Sequence, residues 1–495
     1  MRRIFASLFF ALACLFICLP SALAQGQTHA LLLACSDFIS QPDLGAAISG
    51  NLHLVGSALI SADVPLGSLS IEDGTVGTVE AFSAAVADAF QNADESDLSI
   101  LYLCTHGVLS SSDDGQVYLL LGDGENESAL SAQQLYELIA PIQGEKLLIL
   151  DACYSGALIG RGQPEQGRLP GSHEEPFLSP FIMDSSIHVL TSANGYESSW
   201  YYDSDHLSTG AVSYFASALA SSLGLYGAAE ADLSGDGAVT LDELHRHLSV
   251  AVPSSSSQLL STRAGALVLP TSSSAMLSRP LMGFSYGTSL LTTDDPALSF
   301  SFTVTKEETA VQYRLVDYKD GGWDWQNART FLDDGDGGDG TLSPGRKNRT
   351  LSFDGLADGE GGYLMLQVFS VMDAELLLCS ERLIAIQGGA GSEPLSLSCR
   401  EDLRHPGTDE LPIAAFLDVP AELTVSIYAE DGTLVRRLAA SLLTRPTRDG
   451  VTHLYWDGRD DSGKPVPQGR YVIAAEARVG GARQKAVASV SVSAP

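Results

Sequence analysis

The chain has 495 residues, of which 61 are acidic and 28 are basic, so its formal net charge at pH 7 is -33. This length is enough for about two to four domains. The strong negative charge argues against nucleic acid and anionic membrane surfaces as partners, because like charges repel. It favours a protein of a calcium-containing, extracytoplasmic setting.

The N-terminus has the pattern of a signal peptide. Met1-Arg2-Arg3 is basic, Ile4 to Leu19 is apolar, and Ala22-Leu23-Ala24 is a small-x-small cleavage site. We therefore expect residues 1–24 to be removed, and the mature protein to be secreted, periplasmic or associated with the cell surface. No later segment is long and apolar enough to span a membrane, so we expect no membrane-spanning element.

Five of the seven cysteines lie after the cleavage site: Cys35, Cys104, Cys153, Cys379 and Cys399. Cys35 and Cys104 lie within apolar runs, which is typical of small buried side chains. Cys379 and Cys399 could form a disulfide in an oxidising compartment, and the sequence leaves that open. Cys153 is then the free thiol that is available for chemistry.

Strands alternate with helices over residues 25–270, which indicates a mostly parallel sheet covered on both faces. The predicted elements, in chain order, are a strand at Ala30 to Cys35, a helix that begins within Ser40 to His53, a helix at Thr78 to Phe90, strands at Leu98 to Cys104 and Gln116 to Leu121, a helix at Ser131 to Ile139, strands at Leu147 to Leu150 and Ile187 to Thr191, and a helix at Ala211 to Leu219. Ser131 is the predicted N-cap of its helix.

Two of these buried strands are followed directly by a reactive residue type. The strand that ends at Cys104 runs into Thr105-His106-Gly107, and the strand that ends at Leu150 runs into Asp151-Ala152-Cys153. The carboxyl ends of parallel strands are where open α/β sheets place their chemistry. An imidazole beside a thiol takes its proton or lowers its pKa, so this pair predicts a cysteine hydrolase. The backbone N–H groups of Gly107 and Cys153 are the predicted oxyanion hole.

The pattern changes after the serine run Ser254 to Ser257. Alternating apolar and polar segments replace the long helices, which is typical of β-sandwiches. We expect one such domain over residues 285–390 and a second over 393–495, with a linker at Gly388 to Ser392. Near the C-terminus, glycines between Trp456 and Tyr471 predict a turn between strands, with the two aromatic residues in the core.

Residues 232–243, DLSGDGAVTLDE, match the twelve-residue EF-hand loop by position. The predicted calcium ligands are Asp232, Ser234, Asp236, the Ala238 carbonyl, Thr240 and a bidentate Glu243. A metal-free turn is the alternative, and no organic cofactor is expected. A second acidic segment, Asp333 to Asp339, lacks a terminal bidentate carboxylate, so we interpret it as a solvated loop between strands.

The motifs THG at 105–107 and DACYSG at 151–156, in this order, resemble those of the clan CD cysteine peptidases, which include caspases, metacaspases, clostripain and legumain. A third stretch, Thr191 to Ser199 followed by Tyr201-Tyr202-Asp203, is similar to the legumain segment after the catalytic cysteine. The resemblance covers residues 28–250. It implies a caspase-like α/β sandwich, with Cys153 as nucleophile and His106 as general base of a dyad.

The resemblance also implies that Asp151 lies near the substrate pocket and that Ser192 and Glu197 line or support it. Family members that cut after Arg or Lys use acidic pocket residues, and Asp151 fits that role. Metacaspases carry an Asp on their first helix, and this chain has Gly50 or Asn51 at that position. A preference for cleavage after a basic residue and a preference for cleavage after Asn or Asp therefore both stay open. The segment Gly160 to Ser179 lies where family members are often cut, with an ordinary surface loop as the alternative.

The segments around Glu430 to Arg436, Trp456 to Gly463 and Pro467 to Tyr471 resemble the Ig-like domain of flagellar hook-assembly proteins, which implies a structural or adhesive module. The sequence therefore predicts a secreted bacterial cysteine endopeptidase that acts on a polypeptide substrate. The β-domains would position the enzyme or bind a surface or protein partner. The alternative is a non-catalytic, calcium-organised surface or interaction protein that keeps a caspase-like fold.

Overall fold

The structure is a computed structural model of the chain. It describes residues 26–45, 47–63, 66–110, 116–161, 179–202, 211–292, 296–353, 361–372, 375–388, 394–407, 410–446, 451–479 and 482–493. The predicted signal peptide, the centre of the segment Gly160 to Ser179 and the predicted linker beyond Gly388 lie outside these ranges. None of the helices within them is long and apolar enough to cross a membrane.

Residues 26–269 form an α/β unit. Its strands are β1 (Thr28–Ala34), β2 (Leu66–Asp73), β3 (Leu98–Cys104), β4 (Gly107–Leu109), β5 (Val117–Gly122), β6 (Glu127–Leu130), β7 (Glu145–Asp151), β8 (Ile187–Thr191), β9 (Tyr201–Tyr202), β10 (Val212–Ser213), β11 (Val239–Thr240), β12 (Gln258–Leu260) and β13 (Val268–Leu269). The main sheet has the order β12-β8-β7-β3-β1-β2. All neighbours pair in parallel except β12, which runs antiparallel to β8 at one edge.

Each central strand feeds two apolar cores, because successive side chains of a strand point to opposite faces. In β1, Ala30, Leu32 and Ala34 join one core, whereas Leu31 and Leu33 join the other. A strand buried on both faces must be apolar at every position, which explains the unbroken apolar run of β1. The sheet is thus the middle of three layers.

The α-helices of the described residues are α1 (Ala47–Ile60), α2 (Val79–Ala89), α3 (Ala132–Ile139), α4 (Tyr214–Ser222) and α5 (Leu241–Ala251). Helices α1, α4 and α5 cover one face of the sheet, and α2 and α3 cover the other. The predicted N-cap Ser131 is confirmed, since its hydroxyl accepts from the Gln134 N–H within a capping box.

Residues 281–387 form the first β-sandwich. Its strands are β14 (Leu281–Tyr286), β15 (Leu290–Thr292), β16 (Ala297–Val304), β17 (Ala310–Lys319), β18 (Gly322–Trp323), β19 (Arg329–Leu332), β20 (Gly345–Ser352), β21 (Gly361–Met372) and β22 (Glu375–Gln387). One sheet has the order β14-β16-β20 and the other β15-β22-β21-β17-β18, with β19 also paired to β17.

Residues 396–492 form the second β-sandwich. Its strands are β23 (Ser396–Cys399), β24 (Asp402–Leu403), β25 (Leu411–Phe416), β26 (Glu422–Ala429), β27 (Leu434–Leu443), β28 (Val451–Trp456), β29 (Gly469–Val479) and β30 (Ala482–Val492). Trp456 and Tyr471 are buried in its core, as predicted, and Gly458 and Gly463 have the positive φ that suits a turn. Cys379 and Cys399 are free thiols in different sandwiches, so the disulfide left open by the sequence does not form.

Candidate active site

The two strands that lead to His106 and Cys153 are neighbours in the main sheet. Strands β3 and β7 pair in parallel, with Cys104 opposite Asp151. Both strands therefore end at the same edge, and His106 and Cys153, two residues beyond those partners, emerge side by side. The adjacency that the sequence only assumed is present in the structure.

Gly107 lies directly against the backbone of Cys153. A Cβ atom at Gly107 would lie 1.7 Å from the carbonyl oxygen of Cys153, which no side chain could tolerate. The glycine is therefore required by close approach and not by a positive φ. The contact brings together the two backbone segments that the sequence assigned to the oxyanion hole, and the role of their N–H groups stays a prediction.

The histidine has a defined tautomer. Its Nε2 atom lies 2.9 Å from the carbonyl oxygen of Pro42. A carbonyl oxygen can only accept a hydrogen bond, so Nε2 carries the proton and Nδ1 of the neutral ring is the basic nitrogen. The ring also packs against Phe38, with 4.7 Å between centroids. These contacts orient an imidazole that can receive a proton at Nδ1.

The Pro42 segment is held by Glu127 at the start of β6. One carboxylate oxygen of Glu127 accepts hydrogen bonds from the N–H groups of Ile39 and Ser40, at 2.7 and 2.9 Å. Slight burial raises the pKa of Glu127, but the hydrogen bonds from Ser40 and Ile39 and the charge of His106 outweigh it, so the pKa lies below its ordinary value. Glu127 therefore fixes the segment that fixes the imidazole.

The Cys153 thiol is half-buried, whereas Cys35, Cys104 and Cys379 are buried. Its Sγ atom lies 3.8 Å from the carbonyl oxygen of Ser199, to which the thiol donates. Burial raises the pKa of the Cys153 thiol. The thiol and the His106 imidazole do not hydrogen bond to each other in this structure, because each donates a hydrogen bond to a backbone carbonyl oxygen. The next residue, Tyr154, has a φ of 58°, a strained conformation of the kind found at functional sites.

Asp151 is buried behind the thiol. Its carboxylate accepts from the hydroxyls of Tyr102 at 2.9 Å, Ser199 at 2.9 Å and Ser213 at 2.5 Å. Burial raises the pKa of Asp151, and these hydroxyls act in the opposite direction. Only about 3% of the residue is exposed, so in this structure Asp151 acts by holding these three hydroxyl side chains in place behind the thiol. Direct contact between Asp151 and a substrate stays a prediction.

Ser192 and Glu197 support the nucleophile from the neighbouring strand end. The Ser192 hydroxyl accepts from the Ala152 N–H at 3.1 Å. The Glu197 backbone carbonyl accepts from the Tyr154 N–H at 2.9 Å. Both residues therefore hold the backbone on either side of Cys153. Burial raises the pKa of the Glu197 carboxyl.

Sequence reasoning missed several residues of the site because they come from distant segments. Pro42, Tyr102, Ser199 and Ser213 carried no motif of their own. Asn51, on α1, is buried and accepts from the Ser213 N–H at 2.7 Å while its amide donates to the Cys104 sulfur at 3.2 Å. It is therefore Asn51, of the two positions considered, that lies beside the Asp151 cluster.

Both β-sandwiches are docked on the α/β unit. Arg445 of the second β-sandwich donates to the carbonyl oxygens of Ser249, Ser255 and Val252, at 2.5, 2.8 and 3.2 Å. Arg161 of the α/β unit donates to Glu410 at 2.6 Å and lies 4.0 Å from the centre of the Tyr455 ring. Arg161 is thus buried at a domain contact, whereas Arg168, the other basic residue of the predicted processing loop, lies outside the described residues.

The EF-hand-like loop leads into α5. Asp232 accepts from the N–H groups of Gly235, Asp236 and Gly237, at 2.8, 3.2 and 2.9 Å. Glu243 accepts from the N–H groups of Ser234 and Thr240, both at 3.0 Å, and Thr240 is the N-cap of α5 in a capping box. Ser234 thus joins Asp232 and Glu243, because its hydroxyl donates to Asp232 at 3.4 Å.

Oxygen atoms of carboxylates, hydroxyls and carbonyls are the ligands that a hard cation such as calcium prefers, and the loop carries them in EF-hand order. In this structure the two carboxylates at its ends are satisfied by the loop's own N–H groups. Over the described residues, no group of three or more His, Cys, Asp or Glu side chains is arranged to hold a metal ion. Calcium binding by Asp232, Ser234, Asp236, Ala238, Thr240 and Glu243 stays a prediction.

The acidic loop at Asp333 to Asp339 joins β19 to β20, as predicted, but it is not simply solvated. Asp333 is buried and accepts from Arg349 at 2.7 Å and from the Tyr313 hydroxyl at 2.6 Å. Asp336 pairs with Lys347, and hydrogen bonding to Lys347 and Ser343 lowers the pKa of Asp336 to about 2. The loop is therefore largely exposed, as predicted, except at Asp333, whose cationic partner Arg349 lies on the next strand.

Two family models match parts of the chain. Residues 13–169 match the CHAT domain, and residues 402–481 match the FlgD Ig-like domain. The resemblances drawn from the sequence motifs are confirmed. The α/β unit has a caspase-like fold, and the second of the two β-sandwiches that follow it is the FlgD-like Ig domain. The CHAT match includes both His106 and Cys153.

Among solved structures, the chain is similar to caspase-1 from Spodoptera frugiperda, at 15% identity over 51% of this chain and 93% of that one, with a TM-score of 0.29. It is also similar to FlgD from P. aeruginosa, at 22% identity over 20% of this chain and 69% of that one, with a TM-score of 0.15. No curated protein matches the chain.

Proposed function

We propose that the chain is a cysteine endopeptidase that hydrolyses peptide bonds with the dyad of Cys153 and His106. The observation that carries this proposal is the parallel pairing of β3 and β7, with Cys104 opposite Asp151. It brings a thiol and an imidazole to one edge of the sheet, and the glycine that follows His106 packs against the backbone of Cys153. A thiol, a base and two backbone N–H groups are the parts that acyl transfer requires.

In the proposed reaction, Nδ1 of His106 takes the proton of the Cys153 thiol. The hydrogen bond from Nε2 to Pro42 supports this role, because it leaves Nδ1 unprotonated in the neutral ring. The thiolate attacks the peptide carbonyl carbon, and the electron pair of the C=O bond moves to oxygen. The N–H groups of Gly107 and Cys153 stabilise that oxyanion.

The proton on Nδ1 then passes to the leaving amine as the C–N bond breaks, which leaves a thioester on Cys153. Water, deprotonated by His106, attacks the thioester, and release of the carboxylic acid restores the thiol. Since burial raises the pKa of Cys153, the resting thiol is protonated and the base is needed for each turnover.

The proposal extends to the setting of the enzyme. The basic, apolar and small-residue pattern of residues 1–24 supports export, and the EF-hand-like loop supports calcium binding outside the cytoplasm. Each β-sandwich contacts the α/β unit, and we propose that a surface or protein partner binds the parts of the sandwiches that remain exposed.

Cleavage of a fluorogenic peptide library tests the function. The purified mature chain is incubated with and without calcium, beside Cys153→Ala and His106→Ala. We expect cleavage that both substitutions abolish. Cleavage that survives Cys153→Ala overturns the dyad, and the absence of cleavage in every condition, including after limited proteolysis, favours the non-catalytic binding protein.

A further inference from the structure

An aromatic cleft of about 360 Å³ lies between the α/β unit and the first β-sandwich. Ser199, whose carbonyl accepts from the Cys153 thiol, is followed directly by Trp200, and from there the cleft extends between two domains. Its lining residues are Trp200, Tyr201, Tyr202, Tyr214, Arg314, Trp325 and Ala328. The α/β unit supplies the first four, and the first β-sandwich supplies the other three.

The wall from the first β-sandwich is fixed in place. The Trp325 ring stacks on Tyr214, with 5.8 Å between centroids and 10° between planes, and lies 5.3 Å from the Trp200 ring. Behind them, Phe369 and Leu378 of the first β-sandwich belong to the same apolar core as Tyr202. A shared core resists movement between the two domains, so the cleft keeps its shape.

Arg314 gives this wall a positive charge. Its guanidinium lies 4.8 Å from the centre of the Phe369 ring, and no carboxylate of the described residues pairs with it. Gln367, the partner of Arg314 on the adjacent strand, is fully buried, whereas Arg314 is only partly buried. A partly exposed guanidinium without a carboxylate partner at an open cleft is available to an anionic group of a ligand.

We propose that the aromatic cleft is a substrate subsite that takes a bulky apolar side chain next to the scissile bond, and that Trp325 and Arg314 of the first β-sandwich determine this specificity. The inference rests on the proposed peptidase function. Flat aromatic walls favour aromatic and large aliphatic side chains. A guanidinium that has no carboxylate partner among the described residues favours an acidic group close to that side chain, because it can donate two parallel hydrogen bonds to a carboxylate.

The contacts also disfavour other occupants. A nucleic acid base would suit the aromatic rings, but the net charge of -33 repels the attached phosphates. A cationic ligand would suit the rings too, but it would meet Arg314. The position of the cleft, one residue from the carbonyl that touches the thiol, favours the peptide being cleaved.

Specificity profiling of the full mature chain tests the subsite. A peptide library that varies the residues on both sides of the scissile bond is cleaved by the unchanged protein, Trp325→Ala, Trp325→Phe and Arg314→Gln. We expect Trp325→Ala to lower kcat/KM about tenfold for peptides with a bulky apolar residue, mainly through KM, and to change peptides with small residues less than about twofold. Trp325→Phe should retain most of the preference, and Arg314→Gln should remove the preference for a neighbouring acidic residue.

Two further variants control for folding. Trp323→Ala removes a tryptophan that packs on Tyr318, two residues before Trp325 and outside the lining of the cleft, and it should leave the profile unchanged. Ala328→Trp narrows the cleft from the same wall without removing a contact, so it should exclude bulky side chains if Trp325→Ala fails to fold. Cleavage that depends on Cys153 but has an unchanged profile in Trp325→Ala, Arg314→Gln and Ala328→Trp overturns the subsite alone. If no variant cleaves any peptide, both the proposed function and the subsite are wrong.

Discussion

The Nε2 atom of His106 donates a hydrogen bond to the carbonyl oxygen of Pro42, 64 residues earlier in the chain, at 2.9 Å. The contact fixes which ring nitrogen can act as a base, although neither Pro42 nor its segment carries a catalytic motif. The Pro42 segment is anchored in turn by Glu127. The position of the imidazole therefore depends on the Glu127 carboxylate, which forms no hydrogen bond with the imidazole itself.

Glu127→Ala should lower kcat about tenfold with little change in KM, because a displaced base affects the chemical step more than substrate binding. The measurement is steady-state kinetics on a peptide that the unchanged protein cleaves. Glu125→Ala, at an exposed neighbouring position, is the matched control and should retain full activity. Equal losses in both variants, or a loss confined to KM, would contradict a positioning role for Glu127.

Alkylation of Cys153 should accelerate with pH across the neutral range, with a midpoint above the ordinary thiol pKa of about 8.5. Burial raises the pKa of the thiol, so the reactive thiolate forms only at higher pH when no substrate is bound. Iodoacetamide labelling followed by mass spectrometry of the Cys153 peptide measures the rate. Cys399→Ser removes the other half-buried thiol as a control. A rate that is flat from pH 5 to 8 would instead indicate a stable ion pair with His106.

Glu381→Gln should stabilise the protein above neutral pH and have little effect near pH 5. Glu381 is buried at the contact between the first β-sandwich and the α/β unit, and burial raises its pKa to about 8. Between its ordinary pKa and about 8 the folded state binds more protons at Glu381 than the unfolded state, so its contribution to stability falls as pH rises through this window. Glutamine does not titrate, so the Glu381→Gln protein does not suffer this loss of stability as the pH rises.

Thermal unfolding of the two proteins between pH 5 and 8.5 measures this effect. The difference in Tm, Glu381→Gln minus the unchanged protein, should grow with pH by several degrees. Glu375 lies at the start of the same strand and, as Glu375→Gln, serves as the comparison. A difference that is constant with pH would show that Glu381 has an ordinary pKa in the folded protein.

Calcium should bind the loop at 232–243 with micromolar to millimolar affinity, as single hands of modest ligand charge do. Glu243→Gln is the informative variant, because glutamine can replace glutamate in the capping box of α5 but cannot supply a bidentate carboxylate. Isothermal titration calorimetry should give heat with the unchanged protein and none with Glu243→Gln, while Tm without calcium stays similar. No heat with either protein would remove the calcium site.

The ends of the strands that lead to the site could be predicted, because the sequence pattern of these strands is clear. The predicted ranges Leu98 to Cys104 and Ile187 to Thr191 agree with β3 and β8 at both ends. Continuous apolar runs specify doubly buried strands, and strict alternation specifies a sandwich strand. Once the two strands of the site are known, the order of a parallel sheet restricts where His106 and Cys153 can lie.

Other features could not be predicted because local sequence does not encode them. Strand β2 (Leu66–Asp73) was missed because its position at the sheet edge leaves it half-exposed and polar. The serine run at 254–257 marks the change of pattern, but its composition does not reveal that it is mostly buried. Ser255 donates to the Ser192 carbonyl and Ser256 donates to Glu197. Trp325 reaches the cleft only because two domains meet there.

Arg445 connects the second β-sandwich to the backbone around the nucleophile. It donates hydrogen bonds to carbonyl oxygens of the segment 249–256, and Ser256 of that segment donates to Glu197. The Glu197 backbone carbonyl in turn accepts from the N–H group of the residue that follows the nucleophile. The second β-sandwich is therefore connected to the backbone beside the nucleophile by a chain of hydrogen bonds. The C-terminal module is in this sense part of the support of the site and not only an appended domain.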